Sequence, residues 1–258
     1  MPIEWLVKYW DKAAKATLPF LKNRKVAVEQ VFDKNTIYRR HGDKGLPDKS
    51  GWITIDSIKQ LKAWAKLHVY SFHPHMNGDP STGSGPGGDV WLVMDIDGRA
   101  DKMFDLTKIV TYEMSKLLTR KKIAHLIKFS GNRGFHILWS LGNVTPNWLK
   151  LRKIIRGLTS ELEKILQQKY SQQFYAKLPK SSPILTNDLA DKKASKAILI
   201  DDRIIHKNGM IRSPYSVHPK TGLVSIPIKV NAALKFTKEM ALPSRAKIKK
   251  VTLPKVKM

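Results

Sequence analysis

The chain has 258 residues, with 47 Lys and Arg against 21 Asp and Glu, a formal net charge of +26. A composition of 42% hydrophobic and 9% aromatic residues excludes a disordered chain, and the absence of cysteine excludes disulfides, thiolate nucleophiles and cysteine-held zinc or iron–sulfur sites. No apolar run is long enough to cross a bilayer and the N-terminus lacks a secretory pattern, so a cytoplasmic address without membrane partners is expected, while so large a positive field suits a nucleic-acid partner better than it suits a merely solvated lysine-rich surface.

Ile3 to Leu21 repeats Leu6, Tyr9, Trp10, Ala13 and Ala14 at helical spacing. After the basic turn Lys22-Asn23-Arg24-Lys25, strands are expected over Val26–Val31 and Thr36–Arg40, then a loop from His41 to Ser50. Asp56-Ser57 caps a helix reaching about Leu67. Asn77 to Gly88, rich in Gly, Pro and Ser, reads as a flexible loop. Val90–Asp97 is a buried central strand ending in acids, and Leu106–Leu118 a helix. Ala124–Phe129 and Phe135–Leu141 are strands joined by a Gly-rich hairpin turn. A long helix runs from Thr145-Pro146 to about Lys169, and the polar stretch 171–196 is expected to be irregular. Ala197–Ile200 and Leu223–Ile228 are further strands, and residues 243–258 form a mobile basic tail. The mixture without strict βαβ alternation is α+β with mixed sheets.

Three features carry chemistry. On a strand, Asp95 and Asp97 project from one face, where two like charges are costly unless a cation lies between them. A DxD alone is common, and the plain reading is a strand end with two solvated acids. Asp201 closes another apolar strand and can complete a two-cation site, with Asp202 as its rival or as an exposed turn residue. Ser130-Gly131-Asn132-Arg133-Gly134-Phe135-His136 combines glycines with a hydroxyl, a guanidinium and an imidazole, a set suited to phosphate; an ordinary hairpin is the even alternative. Arg212, Ser216, His218 and Lys220 lie in a donor-rich loop, and Tyr38, Arg39, Arg40 and His41 form a basic-aromatic cluster suited to stacking. His73 belongs to a third patch, in which His75 reads as structural.

The acid pair, the serine-to-histidine hairpin and the late acid, in that order, resemble the archaeo-eukaryotic primase superfamily. Within it, Ile37-Tyr38-Arg39-Arg40-His41, Lys44-Gly45-Leu46-Pro47, Phe72-His73-Pro74 and Ser213-Pro214-Tyr215-Ser216 look most like the polymerase domain of prokaryotic end-joining ligases, although Arg133 stands where those usually carry Lys. The resemblance spans roughly residues 5 to 230. It implies a primase-polymerase fold of mixed sheets flanked by helices, with the active site between two subdomains of a catalytic domain over residues 1–242. It implies that Asp95, Asp97 and Asp201 bind two Mg²⁺ or Mn²⁺ ions and are catalytic. Ser130, Arg133 and His136 would hold a nucleoside triphosphate, supported by Arg40, His73 and Tyr38, with Ser216 and His218 as further nucleotide contacts. Lys22, Arg24, Lys25 and Lys44 would grip a 5′-phosphate, and Arg212 and Lys220 the nucleic acid. The implied activity is template-directed extension of primers and filling of short gaps at DNA breaks in non-homologous end joining, accepting ribonucleotides. A separate ligase and an end-binding protein are the expected partners. A primase starting chains de novo, or a non-catalytic nucleic-acid binder on an inactive polymerase fold, are the alternatives.

Overall fold

The computed structural model describes residues 3–33, 35–78, 88–187 and 197–256. Helix α1 (Ile3–Thr17) forms on the expected stripe: Leu6, Tyr9, Trp10, Ala13 and Ala14 are all buried, and the Trp10 indole donates to Val69 O at 2.9 Å. Pro19 falls within a 3₁₀ turn, Leu18–Phe20, that ends the helix early. Strands β1 (Val26–Phe32), β2 (Asn35–Arg39) and β3 (Val69–Pro74) form an antiparallel sheet in the order β2-β1-β3. Helix α2 (Ile58–Ala65) starts where expected: the Ser57 hydroxyl accepts from Gln60 N, and the Gln60 side chain accepts from Ser57 N. Strand β3 was not foreseen, because all but one of its residues are buried and it shows no polar alternation.

The larger sheet holds β4 (Asp89–Asp97), β5 (Leu126–Phe129), β6 (Gly134–Asn143), β7 (Leu185–Thr186), β8 (Ile198–Asp201) and β9 (Pro227–Ile228), in the order β7-β8-β4-β6-β5-β9. Helices α3 (Phe104–Arg120) and α4 (Trp148–Tyr175) cover one face of it. Met94, Ile96, Ile137 and Ile200 point into that layer, packing with Leu106, Val110, Met114, Leu162 and Leu166. Alternation therefore turns Asp95, Asp97, His136 and Asp201 to the opposite face. The chain is α+β with two sheets and, among the described residues, four α-helices. None of those helices is long and apolar enough to cross a membrane.

Three expectations change. Helix α4 continues past Lys169 because Phe174 reaches the core, so residues 171–175 are helical. Leu223–Ile228 is mostly not strand: only β9 pairs with β5, and Val224 makes a single bridge to Val217. Residues 211–226 instead lace the sheets together, through Ser213 N to Phe72 O (2.8 Å) on β3 and Phe129 N to Ile226 O (2.9 Å) on β5. The tail is packed: Tyr215 Oη donates to Lys249 O (2.6 Å), Ser140 N to Pro254 O (2.8 Å), and Val251 lies against the core. Lys247, Lys249, Lys250 and Lys255 still face outward, which is why charge alone suggested a free tail. Most of the expected loop 77–88, and residues 188–196 of the polar stretch, lie outside the described residues.

Truncation after Leu242 should therefore lower stability, by about 2 kcal/mol from lost apolar burial and hydrogen bonds, measured by urea denaturation. An unchanged midpoint would mean that residues 243–256 contribute nothing to the fold.

Candidate active site

Register builds the site. Across the large sheet, Asp201 on β8 pairs with Asp95 on β4, Asp95 with His136 on β6, and His136 with Lys128 on β5. Strands lie ~4.8 Å apart, so these four side chains form one row about 14 Å long. Asp97 stands two residues along from Asp95 on the same face, opposite Gly134. A Cβ at Gly134 would come within 1.8 Å of Ile96 O, so only glycine lets the hairpin close against the acid-bearing strand. Gly131, at φ +96°, supplies the left-handed residue of the turn.

Each acid meets a cationic or polar neighbour. Asp95 Oδ1 lies 3.3 Å from His136 Nε2. Asp97 Oδ2 accepts from Arg133 Nη2 at 3.1 Å, and its Oδ1 from Arg99 N at 2.9 Å. Asp201 Oδ1 accepts from Arg203 N at 2.9 Å and lies 3.5 Å from Arg203 Nε. Burial alone would raise the Asp95 carboxyl, but His136, Lys128 and Arg212 hold it below the usual value. Burial raises the Asp201 carboxyl, Asp95 adds to this, and the Arg203 N–H opposes it. Burial, then the nearby Lys128 charge, lowers His136 to about 4.

A cavity of about 150 Å³ opens beside the row, lined by Asp95, Asp97, Ser130, Asn132, Arg133, His136, Arg212 and His218. The cavity thus brings together five of the residues singled out for triphosphate or metal binding, Asp95, Asp97, Ser130, Arg133 and His136. Ser130 Oγ shapes the turn by accepting from Asn132 N and Gly134 N, each at 3.3 Å. His218 Nδ1 accepts from Lys220 N at 3.2 Å, leaving Lys220 exposed on its turn.

The small sheet meets this cavity through Arg212, which lines it. Arg212 donates to Glu29 Oε2 (2.9 Å), Ser71 Oγ (2.9 Å) and Ser130 O (3.3 Å). His73 Nε2 sits 2.9 Å from Ser71 Oγ and 3.2 Å from the same Glu29 oxygen, and its ring meets Tyr38 edge-on at 5.3 Å. Tyr38 is 43% exposed, and the Arg40 guanidinium lies 5.4 Å from its ring centre. Glu29 and Lys128 were missed: a lone acid and a lone lysine in apolar strands read as solvent-facing, and only the folded register buries them.

Several assignments are corrected. Arg24 cannot grip a 5′-phosphate: it is buried, paired with Asp89 at 3.1 Å, stacked 3.6 Å over Trp91, and it donates to the carbonyls of His75, Met76 and Asp89. Ser216 is fully buried, its hydroxyl held by Phe72 N and Ser213, so it cannot touch a nucleotide. Arg212 is a cavity-wall clamp rather than an outward nucleic-acid contact. Asp202 is no exposed turn acid; it is buried against Arg156 Nε at 2.5 Å, and Asp201 is the one beside Asp95. Lys22 and Lys44 are exposed, while Lys25 lines a separate polar cavity of about 290 Å³ with Trp52, His75, Asn77, Lys207 and Asn208.

Three carboxylates on one face are a donor set suited to hard divalent cations, and the Asp95 charge adds a smaller increment to the burial that raises the Asp201 carboxyl. Among the described residues, however, no three acidic or imidazole groups converge on one point; the acids turn to His136, Arg133 and Arg203 instead.

The family model described as "LigD, primase-polymerase domain" matches residues 4–251. The DNA primase small subunit PriS of Pyrobaculum arsenaticum is 24% identical over 212 residues, covering 78% of this chain and 60% of that protein. The chain thus spans about 60% of the length of this curated relative. The polymerase domain of Mycobacterium tuberculosis Ligase D, solved in complex with DNA, shares the fold at TM-score 0.67 and 17% identity, covering 90% of this chain and 82% of that one.

Glu29 offers a test of the two-sheet wall. Burial would raise its carboxyl, but the His73 hydrogen bond and the Arg212 charge hold it at about 2. A carboxyl depressed in the folded state stabilises above its unfolded value and loses that contribution as pH falls through the folded one. Glu29→Gln should cost about 3 kcal/mol at pH 7, and the deficit should shrink between about pH 5 and pH 2, read from denaturation midpoints. A deficit independent of pH would remove Glu29 from the clamp.

Proposed function

The chain belongs to the family of LigD primase-polymerase domains, and from that premise we propose that it is a template-directed nucleotidyltransferase that extends primer 3′ ends across short gaps at DNA breaks, in non-homologous end joining, and accepts ribonucleotides. The observation that carries this reading is the juxtaposition of Asp95, Asp97 and Asp201 with the Arg133–His136 hairpin on one sheet face. A pure phosphate binder gains nothing from carboxylates facing its ligand.

Asp95, Asp97 and Asp201 would hold two Mg²⁺ or Mn²⁺ ions. When bound, these neutralise charge on the attacking hydroxyl and on the departing pyrophosphate. The cavity of about 150 Å³ is smaller than the ~300–1,000 Å³ of a whole small-molecule site, so it suits the phosphates and leaves sugar and base outside, toward Tyr38. Arg133, now on Asp97, is placed to move to a phosphate oxygen, with two parallel donors. Ser130 and His136 add donors, and His218 closes the wall. Tyr38 offers an exposed ring for base stacking, with Arg40 beside it. The +26 charge binds the duplex backbone. Lys25, with Lys22 and Lys44 nearby in sequence, remains the candidate for a 5′-phosphate.

Two other readings keep an observation each. Likeness to a primase small subunit favours de novo priming. The pairing of every acid with a basic or imidazole neighbour favours an inactive binder. A gapped duplex with a downstream 5′-phosphate, compared with an unprimed strand and with both nucleotide types, separates the three. The proposal expects extension of the gapped primer. Products on the unprimed strand mark a primase, and no product on either marks a binder. Asp95→Ala should reduce extension about 1,000-fold, roughly 4 kcal/mol of transition-state stabilisation, with DNA affinity nearly unchanged. Extension near the wild-type rate would reject Asp95 as a catalytic group.

A further inference from the structure

Lys128 is fully buried on β5, next to the site yet absent from the cavity lining. A wholly buried lysine is rare and needs partners for its donors. Its Nζ lies 2.5 Å from His136 Nδ1 and 2.8 Å from Ser225 Oγ. Ser225 in turn donates its hydroxyl proton to Phe129 O at 2.8 Å, so a lone pair of that oxygen faces Nζ. Lys128 is thereby aimed at the imidazole from behind, while Asp95 meets the imidazole from the front.

We propose that Lys128 is a positioning residue that fixes His136 as the Nε2–H tautomer, so that the ring presents a donor, never a lone pair, to the phosphate cavity. The Asp95 side of the ring demands this form and the Lys128 side matches it. Burial lowers the Lys128 ammonium well below its ordinary value, yet in either protonation state the amine keeps an N–H for Nδ1 beside the one it gives Ser225 Oγ. A carboxylate has only acceptors, so the nitrogen 3.3 Å from Asp95 Oδ1 must carry hydrogen. Arg212 is the other cation acting on this cluster, and its guanidinium is occupied by Glu29, Ser71 and Ser130. The functional consequence rests on the proposed nucleotidyl transfer: triphosphate oxygens are acceptors, so an Nε2–H can bond one where an Nε2 lone pair would repel it.

The tautomer itself is testable without turnover, by ¹⁵N NMR of histidine-labelled protein at pH 7.5. Wild type should show His136 with a protonated Nε2 and an unprotonated Nδ1. Lys128→Met should mix the two tautomers, and Ser225→Ala, a milder change that loosens Nζ, should shift the signal the same way. Lys128→Met should also raise the apparent nucleotide KM about tenfold, the usual scale for an outer-shell partner, with a smaller change in kcat. An Nδ1–H ring or an imidazolium in wild type would overturn the inference whether or not the variants fold, as would an unaltered His136 spectrum in Lys128→Met. Because the spectrum is read without nucleotide, its failure is distinct from a failure of the polymerase assay.

Discussion

One buried guanidinium holds the two halves of the site in register. Arg212 reaches Glu29 and Ser71 on the small sheet and the Ser130 carbonyl on the hairpin of the large sheet. Its side chain is 12% exposed and that of Glu29 17%, so neither charge can fall back on water. Removing one member of such a pair strands the other, at a cost of about 3–5 kcal/mol. The clamp also fixes His73 against the same Glu29 oxygen, and through His73 the position of the Tyr38 ring. The Arg212 side of the cavity thus descends from one multidentate contact.

The acids obey a different constraint, the period of two along a strand. Met94, Ile96, Ile137 and Ile200 must meet the helix layer, and that requirement alone sends Asp95, Asp97, His136 and Asp201 to the other face. A one-residue slip of β8 against β4 would bury Asp201 among leucines and put Ile200 in the site. Apolar packing on one face therefore enforces charge crowding on the other, and like charges so placed favour a cationic ligand.

Much of this was legible because it depends on local pattern. The DxD at a strand end, the glycines around Arg133 and the late acid could be read in order, and order carried more weight than any single motif. What escaped depends on long-range packing. Strand β3 is buried on both faces and loses the alternation that marks a strand. Lys128 and Glu29 look like solvent-facing charges until β6 and Arg212 arrive beside them. Arg24 looked like a phosphate ligand because nothing nearby in sequence announces Asp89 and Trp91 as its partners. Asp201 and Asp202 were separable only by register with β4 and by the approach of Arg156.

The central claim is that the carboxylates on this face form a cation site for phosphate chemistry, although each is turned to a basic or imidazole neighbour here. Manganese binding by electron paramagnetic resonance, with a non-hydrolysable nucleoside triphosphate present, tests it most directly. The account predicts two bound ions per chain, lost on replacing Asp97 and Asp201 with Asn. Manganese uptake indifferent to those replacements, or none beyond that of the free nucleotide, would contradict it.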